Sequence, residues 1–209
     1  TAGPATGDCL PVDLKSAAKF GGLGGAAGMT NQGTQTVING DIGTTAASTT
    51  MTGFHDAEPG CTYTETAANM GTVNGLINTA APPPTPVCAS EGTAATFAIA
   101  QQAQMDAQIA FDDLAGRPGN PGAANLAGLT LAPGIYTAPA GTFRIQGGDL
   151  TLDANGNANA VWVFQMATTL TVGGPGAAFP QSVILINGAQ AKNVFWQVGS
   201  AATINPAGG

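Results

Sequence analysis

Four short segments carry the same three-part pattern: LTLAPG (129–134), LTLDANG (150–156), LTVGG (170–174) and ATINPAGG (202–209). Each is an apolar residue, a threonine and a second apolar residue, followed by a turn built from Gly, Pro or Asn. They begin 21, 20 and 32 residues apart, the last interval stretched by PGAAFPQ (175–181). A short strand and turn recurring near every 20 residues is the signature of a solenoid, in which each repeat buries its apolar face only against its neighbours. Successive side chains of a strand point to opposite faces. Leu129 and Leu131 are therefore expected inside and Thr130 outside, with Thr151, Thr171 and Thr203 outside in the same way. Stacked coils sit ~4.7–4.9 Å apart, so these threonines are expected to form one ladder, with Thr142 and Thr169 nearby. TVINGDIGT (36–44) reads as an earlier coil and MGTVNGLINT (70–79) as another.

Between the repeats lie strongly apolar runs, AVWVFQM (160–166), SVILING (182–188) and NVFWQV (193–198). None alternates cleanly, which predicts strands buried on both sides. A cover for one side is available. GTAATFAIAQQAQMDAQIAFDDLAGRPG (92–119) predicts one long helix over about 93–115, capped by Thr93 or Thr96 and stopped at Gly116 and Pro118. Phe97, Met105, Ile109 and part of its alanine set fall on one side and are expected to face the solenoid. The whole chain, 1–209, then reads as a single mostly β domain, with the polar, turn-rich stretch 55–91 as a capping region or insertion that shields open strand edges.

The surface of such a domain has few charges to draw on. Charged residues make up 8% of the chain, against roughly 25% in an ordinary globular protein. Hydrophobic content is 44%, which excludes the low-hydrophobicity composition of a disordered chain. Threonine, serine, asparagine, glutamine, alanine and glycine must cover the outside. The net charge is −7 and only five basic residues are present, Lys15, Lys19, Arg117, Arg144 and Lys192, so the chain is poorly suited to a run of phosphates and nucleic acid is not expected as a partner. No segment has the ~18 uninterrupted apolar residues of a membrane helix. No leader is visible at Thr1, so a secreted protein would already have lost its signal.

Three cysteines, Cys9, Cys61 and Cys88, fit no metal-binding or redox spacing, and His55 is the single histidine. No metal and no cofactor is expected. Cys61 and Cys88 bracket a proline-rich stretch that a disulfide would hold, with Cys9 free or paired in place of one of them; such a bond implies an oxidising compartment. Other polar residues read as structural. Asp112 and Asp113 belong to a solvated helix face, Asp41 and Asp149 to turns, and His55 to a surface loop. Asn187 and Asn193 are expected to satisfy buried backbone groups, and Trp162 and Trp196 to pack in the core or under the helix. GGLGG (21–25) lacks the Lys and Ser/Thr of a phosphate-binding loop.

MTNQGTQTVINGDIGT, TGFHDAEPG, LAGLTLAPGIY, GGDLTLDANGNANAVWVFQMATTLT and SVILINGAQAKNVFWQVGSAATI closely resemble the microbial ice-binding protein family, in the family's order and from about Leu14 to Ile204. The resemblance implies a right-handed, discontinuous β-solenoid of triangular cross-section with one long helix packed along it. Members continue with further coils past the position matching Ile204, so the carboxy-terminal coils are expected to be truncated here.

It also implies a partner, the surface of an ice crystal. A rigid, neutral array of donors and acceptors suits a β-branched side chain that carries a methyl and a hydroxyl and keeps little rotational freedom to lose. Two sets of threonines are candidates for contact: Thr34, Thr36, Thr45, Thr64 and Thr72 in the amino-terminal coils, and Thr130, Thr142, Thr151, Thr169, Thr171 and Thr203 in the later ones. The expected activity is that of a secreted, monomeric, non-catalytic antifreeze protein giving thermal hysteresis and inhibiting recrystallisation. A non-catalytic adhesion or carbohydrate-binding module is the alternative, and would require exposed aromatics. A solenoid lyase or glycosidase would require a cluster of carboxylates or basic residues on one strand face, and none is visible.

Overall fold

The computed structural model describes residues 10–174 and 181–204. Cys9, most of the 175–181 insertion and the terminal NPAGG lie outside the described residues. The chain forms two compact units, one of residues 13–110 and one of residues 111–209 together with those up to Val12. Their boundary falls inside the helix.

In the unit of residues 13–110, β1 (Phe20–Leu23), β3 (Asp41–Ala47) and β7 (Ile77–Ala80) form a parallel sheet in the order β1–β3–β7. The second sheet takes the order β2–β6–β4–β5, from β2 (Val37–Ile38), β6 (Gly71–Val73), β4 (Phe54–His55) and β5 (Thr62–Tyr63). Its strands are parallel except for the β4–β5 pair. Ile42, Met51, Phe54, Tyr63, Val73 and Ile77 fill the interior.

Helix α1 (Ala94–Gly116) starts at a reciprocal cap. Thr96 N–H donates to Thr93 Oγ1 at 3.2 Å, and Thr93 N–H donates to Thr96 Oγ1 at 2.9 Å, a capping box with threonine in place of the usual Glu or Gln. The Thr96 hydroxyl also reaches the Thr79 carbonyl at 2.8 Å, tying the helix to β7. Its buried face differs from the expected one. Thr96, Ala100, Ala103, Asp106 and Ala110 are buried, whereas Met105 and Ile109 are 49% and 54% exposed. The buried Asp106 carboxylate is satisfied by the Ser16 hydroxyl at 2.5 Å, the Ser16 N–H and Gln102. Those donors, the Ser16 hydroxyl foremost, hold its pKa below the usual carboxylate value.

In the other unit the chain repeats a circuit of three strands. β9 (Thr130–Leu131), β10 (Gly134–Thr137) and β11 (Phe143–Ile145) are followed by β12 (Leu150–Asp153), β13 (Trp162–Met166) and β14 (Thr169–Val172). Then come β15 (Val183–Ile186), β16 (Val194–Val198) and β17 (Ala201–Ile204). Each circuit adds one strand to each of three parallel sheets, β9–β12–β15, β8–β10–β13–β16 and β11–β14–β17, where β8 is Asn120–Pro121. The result is a three-walled coil, the solenoid that the repeats predict. Leu126, Phe143, Ile145, Leu150, Leu152, Trp162 and Phe164 are fully enclosed. Inside, Phe164 stacks on Tyr136 and Trp196, with ring centroids 5.5 and 4.2 Å away. These three residues occupy one register position on adjacent coils.

The β10–β13–β16 wall is covered on its outer side too. Val161, Val163, Ile135 and Phe195 pack with Leu114 of α1 and Val12, and Gln165 donates to the Leu114 and Arg117 carbonyls at 2.7 Å each. The helix end is thus capped by a side chain of the wall it covers. AVWVFQM is buried throughout, as expected. SVILING is not: Ile184 and Ile186 of β15 are exposed on an outer face. Its unbroken apolar run conceals an ordinary in-and-out alternation. Two turns on these coils need left-handed backbone, Asn155–Gly156 (φ 48° and 84°) and Asn187–Gly188 (φ 52° and 91°), and use the residues that tolerate it best. Asn187 bonds Asp153 on an exposed turn rather than a buried backbone group, and Asn193 donates to a backbone group, the Ala158 carbonyl, but on an exposed residue.

A disulfide joins Cys61 and Cys88 beside a buried acid cluster. The Ile77 N–H lies 3.2 Å from both Asp56 Oδ2 and Glu91 Oε1, and the Tyr63 hydroxyl donates to Glu91 Oε2 at 2.5 Å. Burial, with the neighbouring Asp56 carboxyl, pushes the Glu91 pKa up to about 8. Burial and then Glu91 push the Tyr63 phenol up as well. Since the raised Glu91 pKa means the folded chain keeps a proton the unfolded chain releases near 4.5, this term favours folding at acid pH and fades as pH rises through about 8. The melting temperature is expected to fall between pH 5 and 8.5, and Glu91→Gln to flatten that slope in thermal scans by circular dichroism. Replacing both Cys61 and Cys88 by serine opens a link across 27 residues and is expected to cost about 3 kcal/mol, read as a lower urea midpoint.

Candidate functional site

The candidate threonines of the later coils do not share one wall. Thr130 and Thr151 are paired neighbours on β9 and β12, but the next rung of that column is Ile184. The adjacent outward column carries Asp153, whose pKa is lowered by the Asn155 N–H and then by Asn187. Thr171 pairs with Thr203 on a different wall, β11–β14–β17, behind Arg144. The single ladder expected from the four repeats is therefore two short ladders on two walls. LTL and LTV look alike because both supply the apolar–polar–apolar alternation of a strand with one face inside; the motif does not record which wall it builds.

Among the described residues of this unit, the β11–β14–β17 wall gathers the most hydroxyls. Thr171 and Thr203 form one column, and Thr169 stands in the next, opposite Ala201. Thr142 precedes β11 and lies beside Thr169, with their hydroxyl oxygens 3.2 Å apart. At the corner, the Thr168 hydroxyl donates to the Gly141 carbonyl at 2.8 Å, and the Thr142 and Thr168 oxygens are also 2.8 Å apart. The backbone stacks there as well, Thr168 N–H on Gly141 O and Ser200 N–H on Thr168 O. The columns lie two residues apart along the strand, ~6.6–6.8 Å, and the rungs ~4.7–4.9 Å apart. Phe143, Ile145 and Leu170 behind them are buried, so the strands that set the grid are anchored in the core. Arg144 follows Asn125 in its column, leaving an uncharged set from β14 onward.

Thr168 and Ser200 were not anticipated. Their signal is the hydroxyl residue two positions before Leu170 and Ala202, in TTL and SAA, with Gly141 of GTF at the equivalent position of the first coil, and it appears only when Phe143, Leu170 and Ala202 are taken as equivalent. The amino-terminal set is more dispersed. Thr36 donates to Asn31 Oδ1 at 2.6 Å and Thr45 to the Gly25 carbonyl at 3.0 Å, so both hydroxyls serve the fold. Thr64 sits in a turn at φ 46°, and Thr34 is exposed outside any strand. Thr72 lies on β6, within hydrogen-bond reach of His55. His55 is a strand residue of β4 rather than a loop residue, and its Nδ1 lies 2.6 Å from Glu65. Among the described residues, Cys61, Cys88 and Glu91 lie within metal-ligand reach of one another, but the two sulfurs are bonded together and offer no thiolate.

Comparison with known proteins agrees with this architecture. An ice-binding protein of a Nostoc species is 35% identical over 193 residues, covering 91% of this chain; the chain spans 56% of that protein's length. The solved ice-binding protein domain of Shewanella frigidimarina superposes with a TM-score of 0.73 at 29% identity, covering 93% of this chain and 79% of that one. The ice-binding protein of the Antarctic ascomycete Antarctomyces psychrotrophicus gives a TM-score of 0.67 at 33% identity, covering 92% and 76%. The model of the family described as ice-binding-like matches residues 23–209, and the chain belongs to that family.

Proposed function

We propose that this chain adsorbs to ice through the outward face of β11–β14–β17, with Thr169, Thr171 and Thr203 as the core of the contact and Thr142, Thr168 and Ser200 at its border. The observation that carries the reading is the in-register stacking of uncharged hydroxyls on adjacent parallel strands. A mobile lysine would keep its own water shell. A β-branched threonine fixed on a strand instead presents a methyl and a hydroxyl at a set spacing. Water held between the methyls and anchored by the hydroxyls can merge with a growing crystal front, and repetition sums many weak contacts. The consequences are thermal hysteresis and slowed recrystallisation. The Cys61–Cys88 disulfide fits secretion into an oxidising compartment.

A carbohydrate-binding role is less well supported. Sugar stacking needs exposed rings, yet Trp162 and Tyr63 are buried and Trp196 and Tyr136 stack on Phe164 inside the coil. Thr171→Tyr and Thr203→Tyr place bulk on the proposed face, and Thr151→Tyr does so on the β9–β12–β15 wall. The first two are expected to raise the concentration needed to arrest ice-grain growth by about tenfold, an effect worth ~1.4 kcal/mol. Thr151→Tyr should leave it within twofold, and all three should keep the circular dichroism spectrum. Loss of activity in Thr151→Tyr alone would move the contact to the other wall.

A further inference from the structure

The outward row across the second amino-terminal sheet runs Val37, Thr72, His55 and Thr62, one residue from each of β2, β6, β4 and β5. Within it, His55 is clamped on both ring nitrogens, Nδ1 at 2.6 Å from Glu65 Oε1 and Nε2 at 3.3 Å from Thr72 Oγ1. We infer that Glu65 and His55 act as positioning residues that set which way the Thr72 hydroxyl points its proton, giving this row a water-facing polarity that reverses when the imidazole takes up a proton.

The assignment follows from donor and acceptor chemistry. An ionised carboxylate only accepts, so Glu65 fixes the imidazole proton on Nδ1. In the neutral ring Nε2 is then a bare acceptor, and the Thr72 hydroxyl must donate to it. Its lone pairs are left for solvent, so Thr72 meets water as an acceptor. When the ring gains a proton, Nε2–H becomes the donor and Thr72 Oγ1 its acceptor. The hydroxyl proton is released outward, and Thr72 meets water as a donor. The surroundings leave this exchange undisturbed. Glu65, in the segment after β5, is the charged side chain that pairs with the ring. Asp56, next in the chain, and Tyr63 of β5 both turn inward to the Ile77 and Glu91 cluster, and β6 contributes Thr72. The trio resembles an acyl-transfer relay, but the Thr72 N–H is committed to the Thr36 carbonyl at 2.9 Å, so the nucleophile's own amide is not free to hold an oxyanion. Orientation of a hydroxyl is what the geometry supports.

For an ice-contacting chain, such a row biases the orientation of the first water layer; that consequence rests on the proposed function, whereas the relay does not. His55 is the single histidine, so nitrogen-15 NMR of the imidazole reads it without ambiguity. At pH 8 the intact chain is expected to show one tautomer, protonated at Nδ1, and Glu65→Gln to show a mixture. A dominant Nε2–H tautomer, or a Glu65→Gln spectrum identical to that of the parent chain, overturns the inference. On ice, the grain-arrest concentration is expected to change about twofold between pH 8 and pH 5, and to lose that change in both His55→Gln and Thr72→Val. A change that persists in both variants counts against the relay. A chain with the expected tautomer and no effect on ice at either pH retains the relay and loses the ice reading instead.

Discussion

Everything in the 111–204 coil depends on one interaction, the parallel backbone hydrogen bonding that joins each strand to the same strand of the next circuit. The pairing is continuous over Gly134–Thr137 with Trp162–Gln165, and Trp162–Met166 with Val194–Val198. Because the bonds hold equivalent residues ~4.7–4.9 Å apart, like stacks on like. The same constraint makes Tyr136, Phe164 and Trp196 an aromatic pile inside, and brings Thr171 beside Thr203 outside. Core and candidate contact face are two readings of one register, and a slip by one residue would exchange them.

The division of the walls follows from what can cover them. The β10–β13–β16 wall is spent on α1, whose last turn is received by Leu114 contacts and the Gln165 amide. The β9–β12–β15 wall keeps Thr130 and Thr151 but ends in isoleucine and carries Asp153. That leaves β11–β14–β17 as the wall with the densest uncharged hydroxyls among the described residues. In the 13–110 unit, polar side chains serve local structure instead: Thr36, Thr44 and Thr45 bond within the unit, and Asp56, Glu91 and Tyr63 form a closed cluster beside the disulfide.

Much of the fold was legible from the chain because period-two patterning and turn residues are local signals. The coil, the long helix, its cap at Thr93 and Thr96, and AVWVFQM as a doubly covered strand all follow from them. What was not legible was which wall a strand joins. The series of 21, 20 and 32 residues mixes two walls. The registers give 21 residues from Thr130 to Thr151, and 27 and 32 from Phe143 to Leu170 to Ala202. Corner lengths set that phase, and they vary without changing the strands. The helix was misread for a different reason. Apolar size marked Met105 and Ile109 as its inner face, but the buried positions are held by Ala100, Ala103 and Ala110, which carry little apolar signal. His55 read as a surface-loop residue because its partners, Glu65 and Thr72, come from two other segments, and no local spacing links them.

The central claim is that backbone register, by stacking hydroxyls on β11–β14–β17, holds water in an ordered array before any crystal arrives. A high-resolution crystal structure with this wall free of lattice contacts tests it most directly. The account predicts well-ordered waters seated between Thr169, Thr171 and Thr203 at the rung and column spacings of the strands. Waters there no better ordered than those over the β9–β12–β15 wall would contradict it.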